Sequence, residues 1–420
     1  MIPIMQKINY KSLLFYLFLF LVTLIESKGG GDFKIFLDAS RDLFNGKNIY
    51  TVTYNEWYHY YYDLFFAIII YPLSFLPLFF AKFIWISFNI FLVYKTWQLL
   101  CRWIPIELLS HKGTYIFKIV TWLFMLRFLR DNIHLCQMTI SILFLSFKGI
   151  ELIQNKKLFL GSLFISMGIS IKILPIVLVP YLLYRSYFKE SLIIVIFLFL
   201  LQFTPILFMD LHHILFLLNE RWTSLNPSNT HHILDTSERS FHSLTTLLST
   251  LLVEKCGDTH ALPIKRNIAD ISIHQLHLVI QIVRMILIAF TLFFLKFSFF
   301  KKQESKFISL YELSYIFLLV PLIFPHQQQY AFYFLFPAVV YLSFYWNYFY
   351  DKVLIKKNNF KFILVLVYGF LLYFLTNCNL ILGTFNEYYD HFKVLTYGAI
   401  LFIPLLMFCS PKKLNLQTLN

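Results

Sequence analysis

Charge is scarce in this 420-residue chain: only 14% of its residues are Asp, Glu, Lys or Arg, while 59% are hydrophobic. Soluble domains carry about 25% charged and 45–50% apolar residues, so a water-soluble fold is excluded. The short alternating segments of about 10 residues that mark outer-membrane barrels are missing too. Cysteine occurs five times, at Cys101, Cys136, Cys256, Cys378 and Cys409, without CxxC or ligand spacing. Neither a metal site nor a disulfide framework follows from that pattern. There is no internal repeat and no low-complexity tail. No A-x-A-like site follows the first apolar run, 12–25, so a retained helix is expected there rather than a cleaved signal peptide.

What the chain has is apolar length. Runs of about 17–25 residues recur along it, as a hydrocarbon slab of about 30 Å demands of spanning helices. Lipid offers the backbone no partners, so the expected fold is all-α. Spans are expected near 12–25, 81–99, 114–130, 134–152, 158–170, 173–184, 190–208, 273–297, 307–324, 331–348, 360–376 and 394–409, about twelve in all.

Basic residues orient these spans. The net charge of +14 raises the question of nucleic acid, but the clusters Lys156-Lys157, Lys301-Lys302, Lys356-Lys357 and Lys412-Lys413 fall between apolar runs, where cytoplasmic loops collect positive charge. With twelve spans and an inner N-terminus, the segments at 95–112, 153–157, 185–190, 298–306, 350–361 and 411–420 fall inside, and every one of them bears Lys or Arg. The division is then a first transmembrane helix at 1–26, an outer loop at 27–80, transmembrane helices at 81–208, a second outer loop at 209–272 that includes Ser228, transmembrane helices at 273–410 and a cytoplasmic tail at 411–420. Residues 62–80, broken by Pro72 and Pro77 and preceded by the aromatic stretch Trp57 to Tyr62, are expected to lie at the outer interface or to re-enter. Every histidine except His111 falls on the outer side.

Few polar residues on that side are candidates for chemistry. Asp32 stands at the outer mouth of the first helix, ahead of Asp38 and Asp42, which read as solvated surface. Lys172 interrupts an apolar run, where a cation costs about 2.5–3.5 kcal/mol and by default marks function; the bland reading is snorkelling to head groups. Arg127 and Arg130 read as head-group contacts or as phosphate ligands, and Arg239 is a further cation near the boundary. His326 lies between Pro325 and the polar run Gln327 to Gln329. His212-His213 and His231-His232 pair like metal ligands but lack an ordered ligand set around them, so no metal and no cofactor is expected.

The string from Gly29 to Pro337 resembles glycosyltransferase family 87, by order and spacing more than by identity. The family's early Asp, small residue, Gly, Tyr, Y-x-P and Trp-Asn helix correspond to Asp32, Ala39, Gly46, Tyr50, Tyr71 with Pro72, and Trp85 with Asn89. Its G-Q-x-N is reduced to Cys136-Gln137-Met138-Thr139, and its K-P-x-P to Lys172-Ile173-Leu174-Pro175. N-Q-S-L appears as Glu238-Arg239-Ser240-Phe241, and P-x-S-W-x-H as Pro325 to Tyr330, with the His displaced, to His326, or replaced.

The resemblance implies a GT-C-type bundle with interfacial helices in the first outer loop. It implies a hexosyltransferase that moves a hexose, mannose for this family, from a polyprenyl phosphate sugar to a lipid-linked or envelope glycan outside the inner membrane, with inversion. Asp32 and His326 are then the expected catalytic residues. Lys172, Gln137, Arg130, Arg239, Ser240, Gln327 and Tyr71 are the expected substrate-binding set. The expected partners are the sugar donor, the glycan acceptor and membrane lipids, with no nucleic acid. The rival readings are a flippase of lipid-linked sugars, which would show two related halves, and a ligase or polymerase of surface polysaccharide, which would lack the early Asp.

Overall fold

A computed structural model describes residues 10–55, 58–226, 230–296, 298–353 and 360–411. Trp57, Ser228, the pairs Lys356-Lys357 and Lys412-Lys413, and the tail beyond Pro411 lie outside the described residues. The described chain is helical, with two isolated bridges as its only extended pairing.

The first half runs α1 (Tyr10–Lys28), α2 (Phe33–Phe44), α3 (Leu64–Ile70), α4 (Leu78–Cys101), α5 (His111–His134), α6 (Thr139–Gln154), α7 (Leu158–Ile171), α8 (Leu178–Tyr184) and α9 (Phe188–Gln202). The second half runs α10 (Leu211–Leu225), α11 (Thr230–Leu234), α12 (Leu244–Leu252), α13 (Ile273–Phe294), α14 (Lys306–Ile323), α15 (Phe336–Val353), α16 (Phe360–Asn377), α17 (Asn386–His391) and α18 (Val394–Phe408).

Three helices, α4, α13 and α14, are each long and apolar enough to cross a bilayer, and three bent pairs raise the candidate spans to six. The chain is therefore a polytopic membrane protein, with three to six candidate spans among the described residues by length and composition, which does not confirm a count of about twelve. The shortfall has a physical source. Several expected spans are broken or short: α7 has 14 residues, or about 21 Å at 1.5 Å per residue, and the run expected at 190–208 stops at Gln202. The run expected at 134–152 starts as a turn through Cys136, whose φ is 55°, and becomes helix only at Thr139. The run expected at 331–348 opens as a 3-10 segment over Gln329–Leu335.

Residues 64–75 form α3 and a short 3-10 turn, about 18 Å of helix and too short to cross. Beside them α2 is amphipathic. It buries Phe33, Phe36, Ala39, Ser40 and Leu43 and turns Lys34, Asp38 and Arg41 outward. Ser40 donates to the Ala67 carbonyl at 2.7 Å and ties the two helices together.

Packing then brings distant segments to one end. Helices α6 and α7 run antiparallel and cross at a glycine pair: a Cβ on Gly149 would lie 2.8 Å from the Gly161 carbonyl, and one on Gly161 2.7 Å from that of Gly149. Small residues allow this backbone approach. The hairpin so formed puts Gln137, before α6, and Lys172, after α7, at the same end. At the opposite end the buried Arg185 and Glu312 form an ion pair, joined by the Tyr181 hydroxyl at 3.2 Å and by the carbonyls of Leu295, Ser298 and Lys301.

Candidate active site

Asp32 occupies a position that its neighbours hold firmly. Gly31 has φ of +98°, and a Cβ there would meet the His134 carbonyl at 2.7 Å, so only glycine fits. Buried Lys82 donates to the Gly29 carbonyl at 2.6 Å and also to that of Gly30. The Asp32 amide donates to the Leu135 carbonyl at 3.3 Å. Trp85 Nε1 donates to the Cys136 carbonyl at 3.1 Å and fixes the same turn from the other side. Asp32 stands at the N-cap of α2 but makes no side-chain cap bond. Its carboxylate instead accepts from Gln137 Nε2 at 2.5 Å, while Gln137 Oε1 accepts from the Tyr62 hydroxyl at 3.0 Å.

Burial pushes the Asp32 carboxyl up from 3.8 to about 6; the nearby Glu238 charge adds to the rise, and Lys172 and the Gln137 hydrogen bond oppose it. Lys172 sits in extended backbone between α7 and the following 3-10 turn. Its Nζ lies 5.6 Å from the Tyr62 ring centre and 5.8 Å from that of Tyr330, within cation–π range. Burial lowers its ammonium to about 8, with Asp32 pulling the other way.

Glu238 enters from the second large loop. It accepts from Ser240 Oγ at 3.2 Å and from Gln328 Nε2 at 2.5 Å, and burial raises its carboxyl. A short antiparallel contact of Phe241 with Gln328, with the His242 amide donating to the Gln327 carbonyl at 2.8 Å, joins this loop to the segment after α14.

His326 is held in the left-handed region at φ 57°. Its amide donates to Asp235 Oδ1 at 2.9 Å, and its Nδ1 lies 2.7 Å from the same oxygen. Buried Asp235 also accepts from Ser243 at 2.5 Å and Thr246 at 2.7 Å. On its other side His326 Nε2 contacts His232 Nδ1, whose Nε2 lies 2.8 Å from the Ser224 carbonyl.

The expected residues thus divide. Asp32, Gln137 and Lys172 come together, with Glu238 linking them electrostatically to His326. Ser240 serves this group through Glu238. Gln327 is buried, with Nε2 donating to the Pro325 carbonyl at 2.7 Å. Arg239 turns instead to Asp390 at 3.3 Å and Glu387 at 3.4 Å, in a network where Gln329 donates to Asp390 at 3.0 Å. Arg130 is exposed on α5; the buried arginine there is Arg127, which donates to Tyr389 at 2.8 Å. Tyr71 stacks on Phe44 at 3.8 Å and packs the first outer loop without reaching the group. Asp235 is a member that the sequence did not mark, while Glu238 stood there only as a motif position and His232 only as half of a histidine pair. Asp235 has no local motif, and its partners lie 8, 11 and 91 residues away.

The profile of glycosyltransferase family 87 matches residues 60–325, well over half of the chain. The chain belongs to that family. No curated protein matches it, and neither does any solved structure. Family 87 membership makes it a membrane glycosyltransferase, with a sugar donor, an acceptor and membrane lipids as its partners. The matched span contains Gln137, Lys172, Glu238 and Asp235 and stops just before His326; Asp32 precedes it.

Proposed function

We propose that this family 87 member takes a hexose, mannose by family analogy, from a polyprenyl phosphate sugar and transfers it to a lipid-linked or envelope glycan at the periplasmic face of the inner membrane. We place it in a GT-C-type bundle whose additional short helices complete about twelve membrane passes, with α2 and α3 lying at the interface. The observation that carries the reading is the half-buried Asp32 carboxylate, aimed by Gln137 and set beside Lys172.

Transfer requires an acceptor hydroxyl to lose its proton as its oxygen attacks the anomeric carbon and the bond to the carrier phosphate breaks. Asp32 takes that proton. A carboxyl raised to about 6 is a better acceptor than an exposed one and is still ionised at neutral pH, which is what general-base catalysis favours. Lys172 faces the phosphate oxygens on which negative charge develops. One base and one leaving group imply single displacement with inversion.

The test uses membranes containing the protein and radiolabelled polyprenyl phosphate mannose. Asp32→Asn keeps the shape but loses the proton acceptor, and transfer should fall by about 10²-fold or more with donor KM largely kept. Asp38→Asn is the control, since Asp38 pairs with exposed Arg41 at 3.1 Å. Wild-type transfer by the Asp32 variant would remove it from the base role; no consumption of the donor by the unmodified protein would favour a transporter.

A further inference from the structure

At the end of the bundle opposite Asp32, a cavity of about 300 Å³ opens between α4 and α6, lined by Phe91, Lys95, Arg102, Phe144 and Lys148 among others. Its distance from the active site follows from α4 itself. Lys82 touches the Gly29-Gly30 turn beside Asp32, and Arg102 lies 20 residues further along, about 30 Å at 1.5 Å per residue. That is the thickness of the hydrocarbon layer, so the Arg102 end of the cavity sits at the level of the opposite head groups.

Charge at this mouth is unbalanced. Among the described residues the carboxylate that pairs with its cations is Glu151, which is buried and receives Arg102 at 3.1 Å and Lys148 at 2.7 Å. One negative charge thus holds two cations in place. Lys95 has no carboxylate within 4 Å among the described residues; its ammonium lies 5.3 Å from the Phe91 ring centre and 5.8 Å from that of Tyr94. Three cations against one anion leave two positive charges.

The apolar side is also defined. Ile84, Phe88 and Phe91 are exposed on α4, and with Lys95 they follow the 4, 3, 4 spacing of one helix face. In a membrane protein an exposed apolar stripe of this kind meets acyl chains. It ends on the unpaired cation. The stripe supplies a track for hydrocarbon and the cavity supplies two net positive charges where the track reaches water.

We propose that this cavity binds the phosphate headgroup of an anionic glycerophospholipid from the leaflet opposite the active site, with the acyl chains along Ile84, Phe88 and Phe91. The site needs no transferase activity, so its test stands apart from the functional reading. Purified full-length protein is loaded with phosphatidylglycerol or with phosphatidylcholine of the same chains, and retained lipid is counted by native mass spectrometry. The unmodified protein should retain phosphatidylglycerol preferentially. Lys95→Gln, which breaks no ion pair, should lower that preference by about fivefold, as loss of one head-group lysine predicts. Lys95→Arg should restore it, and Glu151→Gln should preserve or raise it. Inorganic phosphate should not displace the lipid, because it brings no chains for the stripe. Equal retention of the two lipids by the unmodified protein, an unchanged preference in Lys95→Gln with monodisperse elution, or displacement by millimolar phosphate would each overturn the site.

Discussion

Asp32 makes its strongest prediction through pH. An exposed carboxylate with its ordinary value of 3.8 would be more than 90% ionised at pH 5, and transfer would hardly change between pH 5 and 7.5. With the carboxyl raised to about 6, only about a tenth of the enzyme carries the basic form at pH 5, against more than nine-tenths at pH 7.5. The sign follows directly: a base must be deprotonated, so kcat/KM should climb with pH up to about 6, by about fivefold from pH 5 to 6, and level off above it. Between pH 5 and 7.5 the predicted rise is about tenfold.

The causes of the raised value can be separated by mutation. Burial is the largest and remains in any side-chain variant of a neighbour, whereas Glu238 is the next. Glu238→Gln removes the like charge, so the limb should move to lower pH, while burial, the larger cause, stays in place. The assay is initial-rate transfer from radiolabelled donor in detergent at constant ionic strength, with recovery of full activity after return to pH 7.5 as the check on integrity. A flat profile from pH 5 to 7.5 in the unmodified protein would refute the base assignment. A limb that moves to higher pH in Glu238→Gln would refute the electrostatic link between the two loops.

Lys172→Met should raise the donor KM by about 10–100-fold, the scale of one charge-assisted contact, and shift the Asp32 limb to higher pH, because the ammonium lowers that carboxyl; unchanged kinetics on both counts would return Lys172 to snorkelling. Arg185→Met strands buried Glu312 and should cost about 3–5 kcal/mol, read as a large drop in the thermal midpoint, while Arg185→Met with Glu312→Leu should recover most of it. Thr259→Cys, at an exposed position of the second large loop, should label with an impermeant maleimide from the outer side only; labelling from the inner side alone would invert the topology.

Helices were legible from the sequence because lipid forces the backbone to satisfy itself within each apolar run. The runs at 273–297 and 307–324 appear as α13 (Ile273–Phe294) and α14 (Lys306–Ile323), nearly end to end. Asp32, Gln137 and Lys172 were legible as candidates, since each is a polar residue beside an apolar run in a motif of the family. Length was less legible. The breaks at Cys136 and Lys172 are backbone conformations that apolar composition does not encode, which is why long runs resolved into shorter, bent helices.

What the sequence by itself determined is the membrane, the helices and the family. These depend on hydrophobicity and on local order, both readable along one dimension. The partnerships were decided only by tertiary structure. Asp32 finds Gln137 across 105 residues, and His326 finds Asp235 across 91, because the packing of the Gly31-Asp32 turn on His134 and Leu135 and the contact of Phe241 with Gln328 close those distances. The raised Asp32 carboxyl belongs to the same class. Burial and the Glu238 charge exist only once the loops meet, and no property of a single Asp in a chain carries them.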